Sequence, residues 1–256
     1  MAWYNEDNPD KLNFIVAGNH HSGYGLLQAA LSAHPLIICH GDVLHTDDRV
    51  RRQFHEEYFG QAGKVADHFV PTSISLEQYL SNKIFDNTLH DERAVGVKVD
   101  YRSMLHYDLW EYLDHKSRAG DFCILHVVRN PVACYVSMRQ RAVQNGQIAQ
   151  SMTFRPVYIE PESLITFVRE HEAARCKIDR LCTDRAVIPY HELILDFRRV
   201  LERVFDFLEL KFSPACLPNQ KRVHRKEIKT RVANWTQLKH TVPADVKEFM
   251  TCPSLF

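Results

Sequence analysis

The sequence predicts a three-layer α/β fold in which a central, mostly parallel sheet is flanked by helices. Three observations predict it. Short apolar runs alternate with longer amphipathic ones along the chain, the order from which such folds are built. The first and fourth apolar runs are apolar at nearly every position, as strands covered on both faces are. Directly after the fourth run, Asn130 and Pro131 supply an N-cap and a proline at the first helical position.

Taken in order, strands are expected over Leu12–Ala17, Leu36–Cys39, Ala94–Val99, Phe122–Val128 and Ala186–Ile188. Helices are expected over Tyr24–Ala33, Ser75–Asn82, Ser103–Arg118, Pro131–Val143, Pro161–Cys182 and Asp196–Leu208. Residues 144–160 lack a clear period and read as a loop or lid. No repeat, low-complexity tract or linker interrupts the chain, so residues 1–256 are expected to form a single domain. In parallel α/β sheets, ligands bind outside the carboxyl ends of the strands. That places residues 18–25, 40–45, 98–101 and 129–131 along one rim.

Composition narrows the function classes. Lys plus Arg and Asp plus Glu are both 32, so overall charge predicts no polyanion partner such as nucleic acid. The seven cysteines are an odd number with no CxxC pair, which argues against a disulfide framework and a zinc ribbon and fits a cytoplasmic setting. No metal is expected. The start, MAWYNEDNPDK, is polar and acidic, unlike a signal peptide, and no run reaches the roughly 18 apolar residues of a membrane span.

Four segments carry candidate chemistry. In the first, Phe14–Ala17 ends at Gly18, and the stretch to Gly23 has the glycine spacing of the first half of a phosphate-binding loop. Tyr24 and Gly25 stand where a nucleotide triphosphatase has lysine and a hydroxyl. The loop is then either an anion cradle built from backbone N–H groups, Ser22 and histidine, or a plain glycine turn. In the second segment, Arg129 leaves a buried strand and Ser137 lies two turns into the next helix. A guanidinium there suits a phosphate, or pairs with a carboxylate at the sheet edge. The third, residues 187–210, reads as strand, turn and amphipathic helix. The fourth, residues 219–235, holds Lys221, Arg222, Arg225, Lys226, Lys229 and Arg231 against one acid, Glu227. It reads as a cover for a bound anion or as a solvated helix face, and only weakly as a nucleic-acid surface, since Trp235 is its one aromatic.

In order and spacing, these segments resemble the nucleotide-dependent sulfotransferases, which use 3′-phosphoadenosine-5′-phosphosulfate (PAPS). Residues 18–27, GNHHSGYGLL, lie in register with the family's first loop, and His34-Pro35 follow the helix as its His-Pro pair does. Val128-Arg129-Asn130-Pro131 with Ser137 match the second signature. Tyr190-His191-Glu192-Leu193 and Phe207-Leu208-Glu209-Leu210 resemble a third, and Asn234-Trp235 close the basic segment where the family has its last cofactor loop.

The resemblance implies a P-loop-NTPase-like fold and an enzyme that moves a sulfuryl group from PAPS to a carbohydrate, lipid or other small acceptor. Gly18, His20, His21, Ser22, Gly23, Tyr24 and Gly25 would hold the 5′-phosphosulfate. Arg129 and Ser137 would hold the 3′-phosphate. Tyr190, Arg222 and Arg225 would complete the nucleotide site. Asp42 is the first candidate for the base, with His40 and His45 behind it; His21 is the candidate for the catalytic role at the leaving group, and Lys98 is a candidate contact to substrate or sulfate. The departures lie in the first loop. His21 stands in place of the usual lysine or arginine, and Tyr24 and Gly25 stand in place of two threonines. They leave open a catalytically impaired nucleotide-binding protein on the same fold and, more distantly, a kinase lacking its lysine.

Overall fold

The computed structural model describes residues 4–5, 8–41, 44, 80–85, 92–146, 156–181, 184–217 and 227–251. The sheet holds β1 (Tyr4–Asn5), β2 (Asn8–Gly18), β3 (Ile37–His40), β4 (Ala94–Asp100), β5 (Cys123–Val128) and β6 (Arg185–Pro189). Five strands are parallel in the order β3-β4-β2-β5-β6, and β1 adds an antiparallel edge to β2. The chain steps from β2 outward to β3, returns through β4, then crosses to β5 on the other side of β2. The crevice at this reversal opens at the carboxyl end of β2, at Gly18.

β2 is central because Phe14, Ile15, Val16 and Ala17 are all buried. Successive side chains point to opposite faces of a strand, so this one run feeds two cores. Ile15 and Ala17 pack with Met104, Trp110, Leu113 and Ile178 on one face. Phe14 and Val16 pack with Leu27, Leu31, Leu201 and Phe205 on the other. The Phe14 ring lies across β4 at Gly96, where a Cβ would stand 2.2 Å from its Cε2.

Helices α1 (Tyr24–Ser32), α6 (Tyr190–Leu195) and α7 (Phe197–Phe207) supply the Phe14 face. Helices α2 (Tyr101–His106), α3 (Trp110–Ala119) and α5 (Pro161–Leu181) supply the other. A third core joins α4 (Pro131–Gly146), α5, α8 (Trp235–Thr241) and α9 (Ala244–Thr251). No described helix is long and apolar enough to cross a membrane.

Caps explain several boundaries. Asn130 Oδ1 accepts the Ala133 amide at 3.1 Å, the N-cap expected before Pro131, and its Nδ2 donates to the Phe249 carbonyl at 2.7 Å. Asp100 Oδ1 caps α2 through the Ser103 amide at 2.8 Å. The helix expected over Ser103–Arg118 is two helices, because Asp108 takes a left-handed φ of 47° and turns the chain between them. Of the helix expected over Ser75–Asn82, only residues 80–82 lie among the described residues, where Leu80–Phe85 form a π-helical turn. Of the stretch expected to be a loop from residue 144, residues 144–146 instead continue α4, residues 147–155 lie outside the described residues, and Val157 pairs with Val232.

Candidate functional site

The loop after β2 is shaped by contact and backbone geometry. A Cβ at Gly18 would lie 2.7 Å from Ser22 Oγ and 3.1 Å from the Val127 carbonyl, so the turn can close only over glycine. The Ser22 amide bonds the Asn19 carbonyl at 3.0 Å, and the His20 amide bonds Asn19 Oδ1 at 2.7 Å. His21 has φ 63° and Gly23 φ 96°. The left-handed region is cheap for glycine and costly for histidine, so His21 is held there by its surroundings. Gly23 is the N-cap of α1 and brings no side-chain cap, so the first N–H groups of that helix are left for another acceptor.

Arg129 does the holding. Its Nη1 donates to the His21 carbonyl, and its guanidinium carbon lies 4.0 Å above the Tyr190 ring. Ser137 Oγ is 3.4 Å from His21 Nδ1. One turn further along α4, Gln140 Oε1 accepts Arg231 Nε at 2.8 Å and Arg231 Nη2. Ser137, Gln140 and Arg141 follow i, i+3, i+4 spacing, so they share one face of α4. Among the described residues, Ser22 Oγ, Arg129 Nε and Gln140 Nε2 are buried with no hydrogen-bond partner. All three can donate, and each buried orphan costs about 1–3 kcal/mol.

The field here is positive. Burial lowers the His21 imidazole to about 4, helped by the charges of His20, Arg141, Arg129 and Arg231. His21 is therefore neutral at pH 7, not the cation that its place in the loop suggested. Burial, followed by the Arg129 charge, also lowers Arg231. No carboxylate among the described residues forms an ion pair with Arg129, Arg141 or Arg231. Positive charge reaches the loop from Arg129 just after β5, from Arg141 on α4 and from Arg231 in the 3-10 turn Ile228–Arg231.

A second group faces the loop from β4. Lys98 Nζ lies 5.1 Å from the centre of the Tyr24 ring. The carboxylate of Asp100, 5% exposed, is 3.3 Å from His20 Nε2, and the Tyr24 hydroxyl is 3.4 Å from His20 Nδ1. Burial pushes Asp100 up, but His20 and Ser103 outweigh it and hold the carboxyl below its usual range.

The sequence-derived candidates Gly18, His20, His21, Ser22, Gly23, Tyr24, Lys98, Arg129, Ser137 and Tyr190 come together on this rim. Gly25 sits in the first turn of α1, where a Cβ would meet nothing within 4 Å. Asp42, His45, Arg222 and Arg225 lie outside the described residues. Burial lowers His40 to about 4, against a bond with the Ile84 backbone, so it too is neutral. Sequence reasoning passed over Gln140, Arg141 and Asp100, and it took Arg231 as one basic residue among several. The spacing from Ser137 along α4 was the available signal for Gln140 and Arg141.

The model of one protein family, described as the sulfotransferase family, matches residues 14–214, well over half of the chain. The protein belongs to the sulfotransferase family. No curated protein matches it. Among solved structures, a sulfotransferase from Alicyclobacillus acidocaldarius is similar, with TM-score 0.50 and 17% identity over 93% of this chain and 99% of that one. The sulfotransferase domain from the curacin biosynthetic pathway is similar with TM-score 0.50 and 15% identity, over 95% and 92%. At these identities the likeness shows the sulfotransferase fold, the three-layer sheet expected from sequence. The match to the family model spans the loop after β2 and the Arg129–Ser137 segment, though not Arg231.

Proposed function

We propose that this sulfotransferase moves a sulfuryl group from PAPS to a hydroxyl or amine of a carbohydrate, lipid or other small acceptor. The observation that carries the reading is the convergence of Arg129, Ser137 and Arg231 on the loop after β2, with three buried donors left unsatisfied. Phosphate and sulfate oxygens only accept hydrogen bonds, so a donor-rich group whose Arg129, Arg141 and Arg231 pair with no carboxylate among the described residues fits them. The cradle at Gly18 and the uncapped start of α1 suit the same chemistry.

On this reading the loop from Gly18 to Tyr24 takes the 5′-phosphosulfate, and Arg129 with Ser137 takes the 3′-phosphate. Arg231 covers the nucleotide beside Gln140. Bound PAPS supplies an activated sulfuryl group. The chain's own work is to hold the acceptor in line with it and to balance charge at the phosphate that leaves. Lys98 is the cation that faces the loop from the strand side, where neutral His21 supplies none.

Calorimetric titration with 3′-phosphoadenosine-5′-phosphate, AMP and ATP tests this. The 3′,5′-bisphosphate binds most tightly if the reading holds. Preference for ATP refutes it. Turnover of radiolabelled PAPS then separates an enzyme from a nucleotide-binding protein of the same fold.

A further inference from the structure

We infer that His20, oriented by Asp100, is the base that takes the acceptor's proton. This rests on the PAPS reading above and goes beyond it, because the sequence-derived base, Asp42, lies outside the described residues. The geometry comes from two elements. His20 rides on the loop after β2, and Asp100 ends β4, paired in register with Gly18. Their side chains meet at 3.3 Å, with the imidazole one-third exposed and the carboxylate 5% exposed.

Asp100 is itself fixed. The Ser103 amide donates to its Oδ1 at 2.8 Å, and the Ser103 hydroxyl donates to its Oδ2 at 3.0 Å. An ionised carboxylate can only accept, so the hydrogen of a neutral His20 sits on Nε2. The lone pair then lies on Nδ1, which faces the Tyr24 hydroxyl across a long 3.4 Å contact. A buried carboxylate that fixes the tautomer and steadies the imidazolium is the arrangement that makes histidine an effective base. Among the described residues, Asp100 and Lys98 from β4, Tyr24 from α1 and His21 beside it in the loop face His20. His21 is uncharged near neutrality and Lys98 lies over the Tyr24 ring, so Asp100 is the one anion among them.

The acceptor hydroxyl docks on His20 Nδ1 in place of the long Tyr24 contact and gives it a proton. The acceptor oxygen forms a bond to sulfur. The bond from sulfur to the nucleotide phosphate oxygen breaks, and its electron pair stays on that oxygen. The imidazolium returns its proton to water after release. His20 is the catalytic residue here, and Asp100 is a positioning residue.

The test uses the full chain with His20→Gln and Asp100→Asn. Asparagine keeps an oxygen for the Ser103 amide, so the α2 cap survives in the second variant. Transfer from radiolabelled PAPS to phenol and to glucose is measured against pH. Wild-type rate falls on the acid side as an imidazole is protonated. His20→Gln loses this limb and at least about 100-fold in kcat, a loss larger than any it causes in calorimetric affinity for 3′-phosphoadenosine-5′-phosphate. Nitrogen chemical shifts of the His20 ring, with the bisphosphate bound, decide the proposal whichever acceptor the protein takes. The hydrogen is expected on Nε2 in the wild type and distributed over both nitrogens in Asp100→Asn. A His20 hydrogen on Nδ1, or a His20→Gln enzyme with the wild-type pH profile, overturns the proposal and leaves the PAPS reading standing. A wild type that does not prefer the bisphosphate to AMP overturns the PAPS reading itself.

Discussion

Arg129→Ala removes a guanidinium that does three things at once. It steadies His21 in a left-handed backbone, it stacks on Tyr190, and on the proposed reading it grips the 3′-phosphate. A hydrogen bond to a charged group is worth about 1.5–3 kcal/mol, so losing the phosphate contact weakens the 3′,5′-bisphosphate by about 10- to 150-fold. AMP has no 3′-phosphate and feels only the relaxed loop, a change of less than about threefold. The discrimination between the two ligands therefore collapses. Losing the stacked contact separately costs stability of about 0.5–1 kcal/mol, visible as a lower urea midpoint. Arg129→Lys keeps the charge but not the planar fork, so it recovers part of the affinity and little of the stacking. The assay is calorimetric titration of both ligands against wild type and variants, with folding checked by circular dichroism. Equal losses for AMP and the bisphosphate would show that Arg129 acts only through the loop, and an unchanged ratio of affinities refutes the 3′-phosphate assignment.

Glycine substitutions should separate the loop positions. A Cβ at Gly23 would lie 2.6 Å from Tyr190 Cδ2 at a φ of 96°, so Gly23→Ala lowers both the urea midpoint and nucleotide affinity, whereas Gly25→Ala leaves stability unchanged or raises it by up to about 1 kcal/mol. In the second variant, unaltered bisphosphate affinity would remove Gly25 from the binding residues. Tyr101→Phe deletes the 2.6 Å hydrogen bond to buried His126 Nε2 and should cost about 1–3 kcal/mol in denaturation with no change in bisphosphate affinity. Acid should weaken the fold. His21 and His40 are lowered to about 4, chiefly by burial, and burial also lowers His126, so the folded protein keeps them neutral while the unfolded chain takes up protons below about pH 6.5. Their contribution is present above about pH 6.5 and is lost as the pH falls toward 4. Urea midpoints that do not move between about pH 7.5 and 5 would contradict it.

The sheet was legible because its signals are local. The run Phe14–Ala17 is apolar at every position, and a strand buried on both faces can be read from that alone. Asn130-Pro131 marked the start of α4 through a cap that needs only neighbouring residues. Gly18 and Gly23 marked the loop, since a close approach and a positive φ leave few alternatives to glycine. What escaped depends on distance in sequence. Asp108 breaks a helix whose apolar pattern continues on both sides, and nothing near it announces a left-handed turn. The pairing of His20 with Asp100 joins residues far apart in the chain. Within the basic run Lys221–Arg231, charge alone did not show that Arg231 lies beside Gln140. The ionisation of His21 is set by burial, by neighbouring His20 and by three arginines from beyond the loop, so its identity as a histidine said little about its charge.

Asn130 binds two parts of the chain with one side chain. Its oxygen starts α4, and its nitrogen holds the carbonyl of Phe249 on α9, one residue from the guanidinium that grips the loop after β2. The site thus draws on early, middle and late sequence. A nascent chain that has emerged only as far as α7 carries the glycine loop and Arg129, yet has neither Arg231 nor the carbonyl that Asn130 needs. On the proposed reading, anion binding then becomes a property acquired late in synthesis, and a prematurely ended product would carry the loop and Arg129 without Arg231 to cover them.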